Sequence, residues 1–99
     1  MPKFMVRIVL HDAKTWGPYD QLHDPMIAKG FERELPGKKA AYHLPLGEYW
    51  YQGDSTAADV RVLAAAAVES AGQDFGVIVV RVDGWSVMRL KKVEAAGRK

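Results

Sequence analysis

From Lys3 to Leu10 the chain alternates strictly: Phe4, Val6, Ile8 and Leu10 fall on one parity, and Met5, Arg7 and Val9 fall on the other, continued by His11. A period of two sustained over eight residues specifies an extended strand with one firmly apolar face. Such a face is stable only when other elements cover it. The chain must therefore close a sheet over a core, with the even-numbered side chains pointing inward.

At 99 residues the chain supports one compact core and no more. Its apolar fraction of 48% and charged fraction of 26% are those of a folded globular domain. We read residues 1–99 as a single domain, with a core from about residue 3 to residue 91 and a basic tail over residues 92–99. Cysteine is absent, which excludes disulfides, thiolate zinc sites and cysteine nucleophiles. The opening apolar stretch is interrupted by Arg7 and ended by His11 and Asp12, too short and too charged for a signal segment or a membrane span. A cytoplasmic protein with no membrane partner is expected.

The net charge of +2 is unevenly distributed. Residues 81–99 carry Arg81, Arg89, Lys91, Lys92, Arg98 and Lys99 against Asp83 and Glu94, a local +4 that leaves the first eighty residues at −2. A basic end can reach phosphates through non-specific electrostatics. A solvated, frayed tail explains the same residues.

The remaining elements follow from spacing. Trp16 to Lys29 places Tyr19, Leu22, Met26 and Ile27 at helical intervals, with Pro18 suited to a first turn and Gly30 to a left-handed cap. Pro25 predicts a kink, or a break at Asp24. Phe31 to Leu35 and Ala40 to Tyr51 read as two strands of a hairpin across Pro36-Gly37-Lys38-Lys39, the second interrupted at Pro45-Leu46-Gly47. Ala57 to Ala71 is the clearest helix, capped by Ser55 or Thr56 and striped with Val60, Leu63, Ala64, Ala67 and Val68. Phe75 to Val82 is a strand apolar on both faces, and Asp83-Gly84 predicts a turn into a fifth strand, Trp85 to Lys91. The order strand, helix, strand, strand, helix, strand predicts an α+β, ferredoxin-like βαββαβ antiparallel sheet, with two helices on one face and an extra C-terminal strand. Met5, Arg7, Val9 and His11 would occupy the uncovered face. If Ile78, Val80 and Val82 point inward, Val77, Val79 and Arg81 join that face. A surface so apolar is expected to be covered by a second subunit or by the fifth strand.

The strand ending in Leu10-His11-Asp12, Tyr19 opening the first helix, Gly30-Phe31 after it and the aromatic strand before Ser55-Thr56 together resemble the small type V antitoxin endoribonucleases of the GhoS family. These are similar in turn to the dimeric CRISPR-associated nucleases with a ferredoxin-like fold. The resemblance covers roughly Lys3 to Lys91. It implies a dimeric endoribonuclease that cleaves a toxin mRNA, with Asp12 at the position that binds a divalent ion, Mg²⁺ or Mn²⁺, at the dimer centre. Pro25 and the longer hairpin depart from the family pattern, and no second acidic residue falls obviously beside Asp12.

Each candidate has a plainer reading beside the chemical one. Asp12 can hold a shared metal ion or can cap the turn that follows the strand. His11 and His23 are candidates for proton transfer near neutral pH. His11 is equally a surface residue, and His23, four residues after Tyr19, lies on or near an apolar stripe where packing competes with catalysis. The three histidines have no metal-ligand spacing, so zinc is not expected. Arg7 and Arg81 can position phosphates while Tyr49 and Tyr51 stack bases, an RNA platform on the open face. Alternating Tyr and Trp in a strand also serve as core and edge packing. No phosphate-cradling glycine loop, GxSxG or HExxH is present, and no organic cofactor is expected. Two functions remain open: a metal-assisted endoribonuclease antitoxin, and a non-catalytic dimerising or RNA-binding module of the kind carried by mobile elements.

Overall fold

The computed structural model describes residues 1–11, 13–72 and 74–93. Asp12 and the tail from residue 94 onward, both singled out above, lie outside the described residues. The alternating segment forms strand β1 (Lys3–Leu10), with Phe4, Val6, Ile8 and Leu10 all buried. Two short helices follow, α1 (Gly17–Asp20) and α2 (His23–Ala28). Strands β2 (Glu34–Pro36) and β3 (Ala41–His43) form a hairpin, and β4 (Glu48–Gln52), helix α3 (Ala57–Ser70) and β5 (Phe75–Arg81) complete the order.

This is an α+β architecture built on a three-stranded antiparallel sheet in the order β4-β1-β5. Because β4 and β5 both run antiparallel to β1, they are parallel to each other, and α3 connects them past the strand that separates them. Helix α3 packs on the sheet through Val60, Ala64, Ala67 and Val68, whose small alanines permit a close approach. Its start is fixed by Thr56, whose hydroxyl accepts the Asp59 amide at 3.1 Å. Leu22, which caps α2, and Met26 within it are buried in the same core, so both helical segments cover one sheet face.

Several expectations are corrected. The helix expected over Trp16 to Lys29 is two helices broken at Gln21–Leu22, and Pro25 falls in the first turn of α2, where no intrahelical partner is required of its nitrogen. The strand expected over Ala40 to Tyr51 is divided: β3 stays in the hairpin, whereas β4 crosses into the main sheet after Pro45-Leu46-Gly47. The parity of β5 is the reverse of the one considered above. Val77 and Val79 oppose Ile8 and Val6 on the helix side, while Ile78 and Val80 oppose Arg7 and Met5 on the open side.

The extra C-terminal strand does not form between Trp85 and Leu90, and Arg89 there adopts a positive φ of 62°. The segment instead crosses the open face. Val82 and Val87 pack on a second cluster of Leu35, Leu44 and Trp50, Trp85 meets Tyr42 edge-on, and Lys92 bridges to Tyr42. Packing Val82 and Val87 on this cluster removes their apolar surface from water, and β5 is left at the edge of its sheet.

Gly47 joins the loop before β4 to β1. Its carbonyl accepts the Ile8 amide at 2.7 Å, its φ is +86°, and a Cβ there would lie 2.8 Å from the Ile8 carbonyl oxygen. Gly72, after α3, has a φ of +73° with open space around it. Gly72→Ala should therefore carry only the left-handed backbone cost, about 1–2 kcal/mol. Gly47→Ala adds a clash with the central strand and should lower the denaturation midpoint further; equal losses would refute this reading of the loop.

Candidate functional site

The central strand ends at a defined place. Leu10 donates its amide to the Tyr19 hydroxyl at 3.0 Å, and His11 donates its amide to the Asp74 carbonyl at 3.0 Å. His11 is exposed, and its ring lies against Gly76, where a Cβ would sit 3.5 Å from Cε1 and Nε2. Because β1 is the middle strand, the imidazole emerges at the middle of one sheet end.

The face away from the helices is half covered. Trp50 and Met5 lie beneath the β2–β3 hairpin and the C-terminal segment, in the second cluster. Towards β5 the face is open: Val9 is 38% exposed, Ile78 60% and Val80 49%, with Arg7 exposed among them and Glu48 paired beside Arg7 on β4.

The four residues considered for RNA do not form one surface. Arg7 is on the open face; Arg81 pairs with Phe4, near the opposite end of β1 from His11, and carries the other parity. Tyr49 is fully buried on the helix side and offers no ring surface to a base. Tyr51, half-buried on that same side, packs at 5.0 Å from Phe31 and 6.3 Å from Phe4.

His23 is joined to Tyr49. Its Nδ1 lies 2.9 Å from the Tyr49 hydroxyl, and its Nε2 lies 3.5 Å from Asp20 Oδ1. In the neutral tautomer carrying its proton on Nε2, the Tyr49 hydroxyl donates to Nδ1 and the Nε2–H points to the carboxylate, so every group is used. Arg33, which sequence reasoning missed, stacks its guanidinium 5.4 Å from the Tyr49 ring centroid. It donates to the carbonyls of Pro45, Glu48 and Leu44 at 3.0, 2.7 and 3.0 Å. Its partners are backbone oxygens, which leave no pattern in the sequence. Burial, then the nearby Arg33 charge, lowers the His23 pKa, against a weaker upward pull from Asp20 and Asp24. Burial pushes the Tyr49 phenol up to about 12.

Among the described residues no helix is long and apolar enough to cross a membrane, and no group of three or more His, Asp or Glu is placed to hold a metal ion. Comparison with family models, curated proteins and solved structures finds no match to this chain.

The lowered His23 pKa has a definite sign for stability. The unfolded chain binds this proton more tightly than the folded one, so the stabilisation from neutral His23 is complete above its ordinary value of 6.5 and is lost as pH falls through the lower folded-state value. Resistance of the wild type to chemical denaturation should weaken as pH falls below about 6.5, and His23→Gln should flatten that slope. An unchanged slope would show that the imidazole does not carry it. Tyr49→Phe, which strips Nδ1 of its donor, should cost about 1–2 kcal/mol.

Proposed function

We propose that the chain is a small cytoplasmic endoribonuclease of the antitoxin type, a ferredoxin-like domain that acts on RNA as a homodimer with Mg²⁺ or Mn²⁺ assistance. The observation that carries this reading is the central position of β1, which brings His11 to the end of the sheet with Arg7 on the same strand's open face. The ferredoxin-like assignment is supported by the split connection β4–α3–β5 around β1. It is supported further by the reciprocal 2.8 Å hydrogen bonds between Glu32 and Trp50, which lay the approach to β2 beside β4.

In this reading Arg7 holds a phosphate and His11 carries a proton to or from the reacting oxygen. The described residues of one chain supply no ligand set for a divalent ion; Asp12 from each of two copies would provide it. A bound ion would polarise the phosphodiester. RNA cleavage should depend on Mg²⁺ or Mn²⁺ and vanish in Asp12→Asn, and His11→Ala should slow it by about 10²-fold or more. An Asp12→Asn variant as active as the wild type would remove the role assigned to that carboxylate.

A second reading, a non-catalytic dimerising module, is favoured by the exposed apolar stripe of Val9, Ile78 and Val80. It expects a dimer without nuclease activity. Ile78→Lys, on the open face, should dissociate that dimer and leave the fold intact, whereas Val79→Lys faces the helices and should unfold the domain. A species whose size in solution is unaffected by Ile78→Lys would refute assembly through this face.

A further inference from the structure

Trp16 is the most exposed aromatic ring among the described residues, at 67%, in a fold that buries Trp50 to 1%. It is held in place. Its carbonyl accepts the Tyr19 amide at 3.1 Å, its ring lies 5.8 Å from the Tyr19 ring at an angle of 52°, and the Tyr19 hydroxyl accepts the amide of Leu10. The aromatic pair is thus moored one residue before His11, at the end of the central strand.

The ring lines two clefts, each of which it shares with Tyr19. One, of about 380 Å³, is walled by Arg7, Val9, Pro45 and Glu48, with Trp16 and Tyr19 at its side. The other, of about 530 Å³, is lined by Ala13, Lys14 and Thr15 with the same two rings. Both volumes fall in the range of small-ligand clefts, roughly 300–1,000 Å³. Each cleft joins a flat aromatic surface to a single cation, Arg7 in the first and Lys14 in the second.

We propose that Trp16 is a base-stacking platform for single-stranded RNA, over which a strand passes from one cleft to the other with its phosphates met by Arg7 and Lys14. A nucleobase of any kind presents a π-face to the indole, while the cation lining each cleft offers a contact to backbone phosphate. The inference rests on the RNA reading above and names a substrate contact within it that neither Tyr49 nor Tyr51 is placed to make.

The test is fluorescence anisotropy of fluorescein-labelled oligoadenylate titrated with the full chain at low salt, alongside cleavage of an unlabelled RNA. Trp16→Ala should weaken binding about ten-fold or more, Trp16→Phe should retain most of it, and Trp85→Ala, at another exposed indole, should leave it unchanged. Lys14→Glu should weaken binding and make it less salt-dependent. Oligoadenylate binding that is equal in Trp16→Ala and wild type, or absent in wild type, overturns the proposal. Should Trp16→Ala lose its far-ultraviolet circular dichroism, Trp16→Leu, apolar but without a ring, decides: binding as wild type overturns the platform, and a loss with the fold intact supports it. Cleavage that persists with unaltered affinity in Trp16→Ala would sink the platform and spare the endoribonuclease reading. Trp16-dependent binding without cleavage would do the reverse.

Discussion

Burial of the even-numbered side chains of β1 is the contact on which the remaining structure depends. Phe4, Val6, Ile8 and Leu10 lie in one core at 4% exposure or less, and burial of each such side chain contributes about 1.5–3 kcal/mol. Because β1 is paired on both edges, its parity passes through the register to its neighbours: Tyr49 and Tyr51 follow it on β4, and Val77 and Val79 follow it on β5. The same pairing hands Arg7, Val9, Ile78 and Val80 to the other side. A slip of one residue would exchange the two sets.

Strand β4 divides the interior in two. Tyr49 points into the main core beneath the helices, and its neighbour Trp50 points into the second core beneath the hairpin. Arg33 secures the boundary, since its guanidinium lies near the Tyr49 ring and ties down the carbonyls of Leu44 and Pro45 in the loop before β4 and of Glu48 at its start. A lysine there, with a single ammonium, could not present the planar fork that this arrangement uses.

The parts of the fold that were legible in the sequence are those whose pattern has one solution. The alternation of β1 permits a single face, and Ser55-Thr56 before an alanine-rich stripe narrows the helix start to two adjacent caps, of which the structure uses Thr56. Strand β5 was legible as a strand but not in its facing, because Val77 to Val80 are apolar at both parities and only the register with β1 decides. Asp83-Gly84 signalled a hairpin, yet local turn preference gave way to the burial of Val82 and Val87 against Leu35, Leu44 and Trp50. At the candidate site, Arg7 and His11 were readable from strand alternation. The burial of Tyr49 depends on which alternate residue of β4 meets Val6, and the Arg33 clasp depends on carbonyls that no side-chain pattern reveals.

The central strand also precedes every other strand in the chain order, and both of its partners come much later: Val6 pairs with Tyr49 on one side and with Val79 on the other. The hairpin and α3 can form from neighbouring residues, but the sheet cannot close until β5 has been synthesised. Such non-local pairing slows folding, because chain entropy is lost before the contacts that compensate for it are made. During synthesis the apolar side of the first strand therefore lacks one of its two neighbours until β5 has been made, the interval in which this segment is most open to wrong pairing.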